Sequence, residues 1–274
     1  MASKGVVRPP APAADQGEDK DPQFAYTLAR GLQVLRAFED APLHLGNRDI
    51  AMRTGIPRPT VARLTRTLTI LGYLKYDATT ARYRLAAGIL TLGYPLLSQM
   101  NVRQVARPLM QRLAEIVNGA VSLGTRQGLN IILVDSCIAP NAVTQKPDVG
   151  ATRKIVKTSL GRAYLAGLDA PQRDQLMAEI RASGETEWAA FKRDVEREIK
   201  RYQAHGFCIA KDTAVKGHIA ASVPFRVALD AESELMVVNC VIPDFQVDEA
   251  VMAKEFGPKL VALVQQVERS LGSR

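Results

Sequence analysis

Hydrophobic side chains recur at three- and four-residue steps along some stretches of the chain and at two-residue steps along others. These two periods separate helices from strands. Between Leu45 and Leu74 the spacing predicts two short helices joined by a tight turn. Ile50 and Ala51 give the first helix its inner face, and Asn47 can cap its start. Gly55 ends it, because glycine reaches positive φ without steric cost. Pro57 and Pro59 bracket Arg58 and bar the turn from continuing as helix. Thr60 opens the second helix, on which Val61, Leu64, Leu68 and Leu71 form an apolar stripe. Arg63 and Thr67 fall off that stripe, and Arg58, Thr60 and Arg66 lie near its edge, so all five face outward. Leu74–Tyr76 and Arg82–Leu85 then alternate like strands across the turn Asp77–Thr80. A hairpin after such a helix pair is a wing, and the whole is a winged helix-turn-helix, whose second helix enters the DNA major groove. Lys75, Arg82 and Arg84 on the wing would stand beside the duplex backbone, and Asn47 and Arg48 complete the candidate DNA contacts. A helix from Thr27, with Leu28, Leu32, Leu35 and Phe38 on one side, is expected to support the pair.

The flanks follow the same logic. Residues 1–22, rich in Pro, Ala and charge, are expected to form a disordered tail before a DNA-binding domain over 23–86. Ala86–Gln99 is helical in pattern, with Pro95 set to kink it, and residues 87–101 are read as a linker helix. In the remaining 102–274 the pattern predicts a helix over Val102–Asn118, then strands over Val121–Thr125 and Ile131–Ser136. A short strand follows at Arg153–Lys157, then helices over Arg162–Leu168, Gln172–Arg181 and Glu187–His205. Three strands are expected at Phe207–Asp212, His218–Pro224 and Leu235–Ile242, before a last helical region interrupted at Gly257–Pro258. The fold class is α+β, with a largely antiparallel sheet of five or six strands.

Charge sharpens the division. The chain carries +8 over 274 residues, and residues 23–90 hold ten basic groups against four acidic ones. That excess suits phosphate contact by counterion release. Cys137, Cys208 and Cys240 are odd in number and far apart, which argues for a reducing compartment and against a disulfide framework. There is no signal-peptide core and no run of about 18 apolar residues, so the cytoplasm is the expected location and a membrane is not an expected partner.

Several stretches, in this order, resemble the isocitrate lyase regulator (IclR) family of bacterial transcription factors. They are Thr27–Leu32, Gly55–Leu64, Gly72–Leu74, Arg82–Leu85, Thr158–Ala163 and Gly206-Phe207. The resemblance covers about residues 24–271, and the opening of the chain looks most like the subgroup that governs aromatic-acid catabolism through the β-ketoadipate pathway. It implies a winged helix-turn-helix, a linker helix and a GAF/profilin-like effector-binding domain. It further implies homodimers or homotetramers on palindromic operator DNA, responding to small organic or aromatic acids. By the same resemblance the effector sits at the helix start Thr158-Ser159-Leu160-Gly161. Physically, Thr158 can cap a helix whose first N–H groups attract a carboxylate, and Gly161 leaves room for close approach. Lys157 stands where the family has a small residue, and either pairs with an acidic ligand or projects to solvent. The chain also departs from the pattern. Ala210 replaces an acid, with Asp212 two residues on; Ala220 replaces a cysteine; Asn239 and Val241 replace two serines. The ligand is therefore expected to differ from the family's commonest ones.

Two other readings use the same residues. Catalysis would need a nucleophile with a base, and His44, His205 and His218 fall in no recognised arrangement with Ser159 or the cysteines. Cys208, Asp212 and His218 can be imagined as zinc ligands on neighbouring strands, but their spacing matches no standard pattern. No cofactor is expected, and the chain is read as a non-enzyme. The third reading is a DNA-binding protein whose C-terminal domain only oligomerises.

Overall fold

The structure, a computed structural model, describes residues 23–39, 41–144, 147–211, 216–229 and 232–272. The expected tail at 1–22 and the candidate Asp212 lie outside the described residues. The chain divides into two compact units, with the division between Ser98 and Gln99.

The first unit holds α1 (Tyr26–Arg36), α2 (Asn47–Thr54), α3 (Arg58–Ile70), β1 (Leu74–Asp77), β2 (Arg82–Leu85) and all but the last residue of α4 (Gly88–Gln99). Its core is built from Val34, Ala37, Leu45, Ile50, Ile56, Val61, Leu68 and Leu74. Leu45 exchanges two backbone hydrogen bonds with Tyr83, at 2.9 and 2.8 Å, and so pins the chain before α2 to the β1–β2 wing. Three local expectations are corrected. Gly46, not Asn47, precedes α2, and its N–H donates to Asp49 at 2.9 Å, so Asn47 already lies inside the helix. α3 begins at Arg58 rather than Thr60, because a proline in the first turn lacks only an N–H that would have had no acceptor there. Leu71 is exposed and Thr65 takes an inner place instead, its hydroxyl satisfied by the Val61 carbonyl at 3.0 Å. On α1, similarly, Leu28 and Leu32 stand in solvent while Val34 and Ala37 are buried.

The second unit begins with α5 (Asn101–Val117), β3 (Ala120–Gln127), β4 (Asn130–Ile138) and β5 (Thr152–Lys154). It continues through α6 (Ser159–Gly167), α7 (Ala170–Ser183), α8 (Glu185–His205) and β6 (Cys208–Lys211). Two long strands, β7 (His218–Leu229) and β8 (Glu232–Pro243), precede α9 (Glu249–Val251), a π-helical turn (Met252–Phe256) and α10 (Gly257–Gly272). The six strands form one sheet in the order β5-β4-β3-β8-β7-β6, antiparallel throughout. α6 packs on β7 and β8, with α8 and α7 behind it, while α5 and α10 pack together against β3, β4 and β7. The last helix does not break at Gly257-Pro258. A Cβ on Gly257 would meet the Phe207 ring at 2.6 Å, so glycine lets that ring seat against the helix. The widened turn just before accommodates Pro258, whose ring crowds the carbonyl four residues back.

Candidate DNA interface and effector cavity

α3 carries no acidic side chain, and its outer face shows Arg58, Arg63, Arg66 and Thr67 to solvent, with Thr60 half-buried. Arg48 is exposed on α2. Asn47 does other work: its Oδ1 accepts from the Thr65 hydroxyl at 3.1 Å and ties α2 to α3, which fixes the angle at which α3 is presented. On the wing, Lys75 lies directly opposite Arg84. Like charges facing each other across a strand pair oppose folding, so this pairing is one that a polyanion would relieve. Arg82 is committed differently. Its guanidinium donates to the His44 carbonyl at 3.0 Å and lies 3.4 Å from Asp49, bracing the wing against the start of α2. At the wing tip Asp77 accepts from the Thr79 N–H at 2.9 Å and the Thr80 hydroxyl at 2.7 Å. Hydrogen bonds from Thr79 and Thr80 to the carboxylate hold its pKa down at about 2.

In the second unit, Thr158 caps α6 and its hydroxyl accepts from the Gly161 N–H at 3.2 Å. The Arg162 N–H bonds the Thr158 carbonyl, which leaves those of Ser159 and Leu160 without an acceptor in their own helix. Beside this helix start lies a cavity of about 50 Å³. Thr158, Ser159, Leu160, Ala220, Asn239 and Val241 all line it, together with Ala210. Gly161 does not. A Cβ there would lie 2.1 Å from the backbone of Ile155, so the glycine serves close packing of α6 on the preceding turn rather than ligand access. Lys157 is also elsewhere: its Nζ pairs with Glu187 at 2.7 Å and sits 5.7 Å from the Phe191 ring. It borders a separate depression of about 290 Å³ between α8 and β6, whose Arg162, Asp194, Arg197 and Glu198 are paired among themselves.

Arg153, Ser122, Thr144 and His218 also line the cavity, and sequence reasoning did not place them there. Arg153 had a legible signal, a cation on the short strand that feeds the Thr158 cap. Thr144 lies in a loop with no periodicity to orient it. His218 Nδ1 donates to the Lys216 carbonyl at 3.0 Å, and Nε2 lies within hydrogen-bond distance of the Thr144 hydroxyl, at 3.0 Å. The register of β6 on β7 sets Cys208 opposite Ser222, four residues along the strand from His218, which parts two of the imagined zinc ligands. Cys208 and Cys240 are fully buried, and desolvation raises both thiols, Cys240 to about 12.

Residues 27–78 match the IclR helix-turn-helix domain model, and residues 95–269 match the model of the bacterial transcriptional regulator IclR C-terminal domain. The chain belongs to the IclR family. Among IclR-family relatives, the HTH-type transcriptional regulator TsaQ1/TsaQ2 of Comamonas testosteroni is 27% identical over 94% of this chain and 92% of its own. The Pca regulon regulatory protein of Pseudomonas putida is 29% identical over 88% and 82%. Among solved structures, an IclR family transcriptional regulator from Brucella abortus superimposes with a TM-score of 0.82 at 34% identity, covering 95% of this chain and 98% of that one. An IclR homologue from Microbacterium hydrocarbonoxydans, complexed with 4-hydroxybenzoate, shares the fold with a TM-score of 0.67 at 18% identity over 90% and 100%. The protein is thus a DNA-binding transcriptional regulator with an N-terminal helix-turn-helix and a C-terminal antiparallel-sheet domain. Among the described residues no helix is long and apolar enough to cross a membrane.

Proposed function

We propose that this regulator binds palindromic operator DNA as a homodimer or homotetramer and that a small organic acid, held in the C-terminal cavity, sets its operator affinity. The carrying observation is the meeting, on one cavity wall, of Arg153, whose Nη1 donates to the Thr152 carbonyl at 2.8 Å, with the start of α6. A guanidinium and unpaired helix N–H groups are complementary to a carboxylate. The IclR homologue complexed with 4-hydroxybenzoate supports an acid as the effector class. On DNA, Arg58, Thr60, Arg63, Arg66 and Thr67 would face base edges or nearby phosphates, and Lys75, Arg84 and Arg48 would contact phosphate. Two such helices in successive major grooves stand about 34–36 Å apart, which requires self-association. α4 supports it, since Leu90, Leu92, Tyr94 and Leu96 are each more than half exposed and none of its residues is buried. Residues 23–86, 87–101 and 102–274 then serve as DNA-binding, linking and effector-binding parts.

The test is operator titration by fluorescence anisotropy with the full chain, with and without each of a panel of aliphatic and aromatic carboxylates, paired with thermal-shift measurements. A carboxylate that raises Tm and shifts operator affinity supports the reading, and Arg153→Ala should abolish both effects. A panel without any shift favours a C-terminal domain that only oligomerises.

A further inference from the structure

The interior of the C-terminal domain carries a row of polar side chains. Ser136 on β4, Ser122 on β3, Asn239 on β8 and Ser222 on β7 lie side by side across four neighbouring strands. All four are buried. The row is closed at its ends. The hydroxyls of Ser122 and Ser136 lie 3.1 Å apart, and Ser222 donates to the Ser159 hydroxyl on α6 at 2.8 Å. Asn239 stands between these pairs, only 6% exposed and on the cavity wall, and its Oδ1 has no hydrogen-bond partner. Buried acceptors are almost always satisfied, and one left unpaired on a side chain that borders a cavity marks where a donor belongs. An apolar residue of similar volume would have closed the sheet at less cost.

The donor must also suit the rest of the cavity. Arg153 and the positive end of α6 disfavour an ammonium group there, so the donor is neutral, and in a short carboxylic acid the commonest neutral donor is an O–H. The cavity of about 50 Å³ is well under the ~150 Å³ that admits benzene, so short aliphatic acids fit ahead of aromatic ones. Resting on the carboxylate reading above, we propose that Asn239 reads a hydroxyl of the effector and that the domain answers to short hydroxy acids rather than to their deoxy counterparts. Asn239 is then the specificity-determining residue, and Arg153 with the start of α6 takes the carboxylate.

Calorimetric titration of the full chain with matched pairs tests this: glycolate and acetate, lactate and propionate, 3-hydroxybutyrate and butyrate. Methoxyacetate, which accepts but cannot donate at the same position, completes the series. The hydroxy acids should bind at least about tenfold tighter than their partners and than methoxyacetate, since a site built to pair a hydroxyl discriminates strongly against its loss. In Asn239→Leu the preference should collapse to within about twofold, the hydroxy acids losing more affinity than their deoxy partners. Equal affinity within pairs, methoxyacetate as tight as glycolate, or a preference unchanged in Asn239→Leu would each overturn the assignment and leave the carboxylate site standing. The analogue series on the unaltered chain decides the matter even where the variant fails to fold. Absence of binding by every acid, aromatic ones included, overturns both readings. Tighter binding by 3-hydroxybenzoate than by any aliphatic hydroxy acid overturns the size order.

Discussion

In the first unit the polar groups that distinguish the surface stand in solvent: Arg58, Arg63 and Arg66 line the outside of α3, and Lys75 faces Arg84 across the wing. In the second unit they stand inside, as Ser122, Ser136, Asn239 and Ser222 run across the buried sheet beneath α6. Exposed like charges need only a polyanion, and salt weakens that attraction. Buried polar groups need a partner of particular shape and donor pattern, in a place salt reaches poorly. The difference teaches what drives each kind of recognition: salt-screened attraction to a polyanion outside, where base-edge contacts must add the selectivity, and hydrogen-bond matching inside.

The largest expected effect separates the two directly. Raising salt from about 50 to 200 mM should weaken operator binding roughly 10³- to 10⁵-fold if a pair of heads makes six to ten phosphate contacts. Acid binding in the cavity should change only a few-fold over the same range, by calorimetry. Similar salt slopes for both would break the contrast. Next comes Gly161→Ala, whose new Cβ falls 2.1 Å from the Ile155 backbone and should destabilise the C-terminal domain by about 3 kcal/mol in urea denaturation. Gly93→Ala, in the open on α4, should be neutral or stabilising. Third, Arg63→Ala should cost about 1–3 kcal/mol of operator affinity and relax one base position without altering Tm. Arg82→Ala should instead lower Tm, because Arg82 braces His44 and Asp49. Operator affinity unmoved by Arg63→Ala would remove that residue from the interface. The smallest effect is at the wing tip. The Asp77 pKa lies below its ordinary value, so its contribution to the turn is complete above about pH 4 and is lost as pH falls through about 2. The Thr79 amide shift in NMR should titrate with that low midpoint, and a midpoint near the ordinary carboxylate value would dissolve the bonded turn.

How far the sequence could be read follows the same contrast. The winged helix-turn-helix was legible because helical period alone decides which way Arg63 points. The Thr158 cap was legible because its geometry is local, four consecutive residues with one hydroxyl. The cap on α2 was misread because Gly46 and Asn47 are both acceptable there, and only the Asp49 side chain decides between them. Gly161 was misassigned because a glycine beside a ligand and a glycine beside Ile155 look alike along the chain. The cavity wall drew on Arg153, Thr144 and His218, which the chain brings together from three separate segments. No periodicity carries a register of β8 on both β3 and β7, so the row that isolates Asn239 could only emerge from the folded sheet.

The buried cysteines carry one more consequence. At neutral pH a thiol held as high as Cys240 leaves almost no sulfur anion for peroxide or alkylating agents to attack, and Cys208 is shifted the same way. While the chain stays folded these two sulfurs should therefore resist alkylation at neutral pH, so a thiol label should reach them only on unfolding.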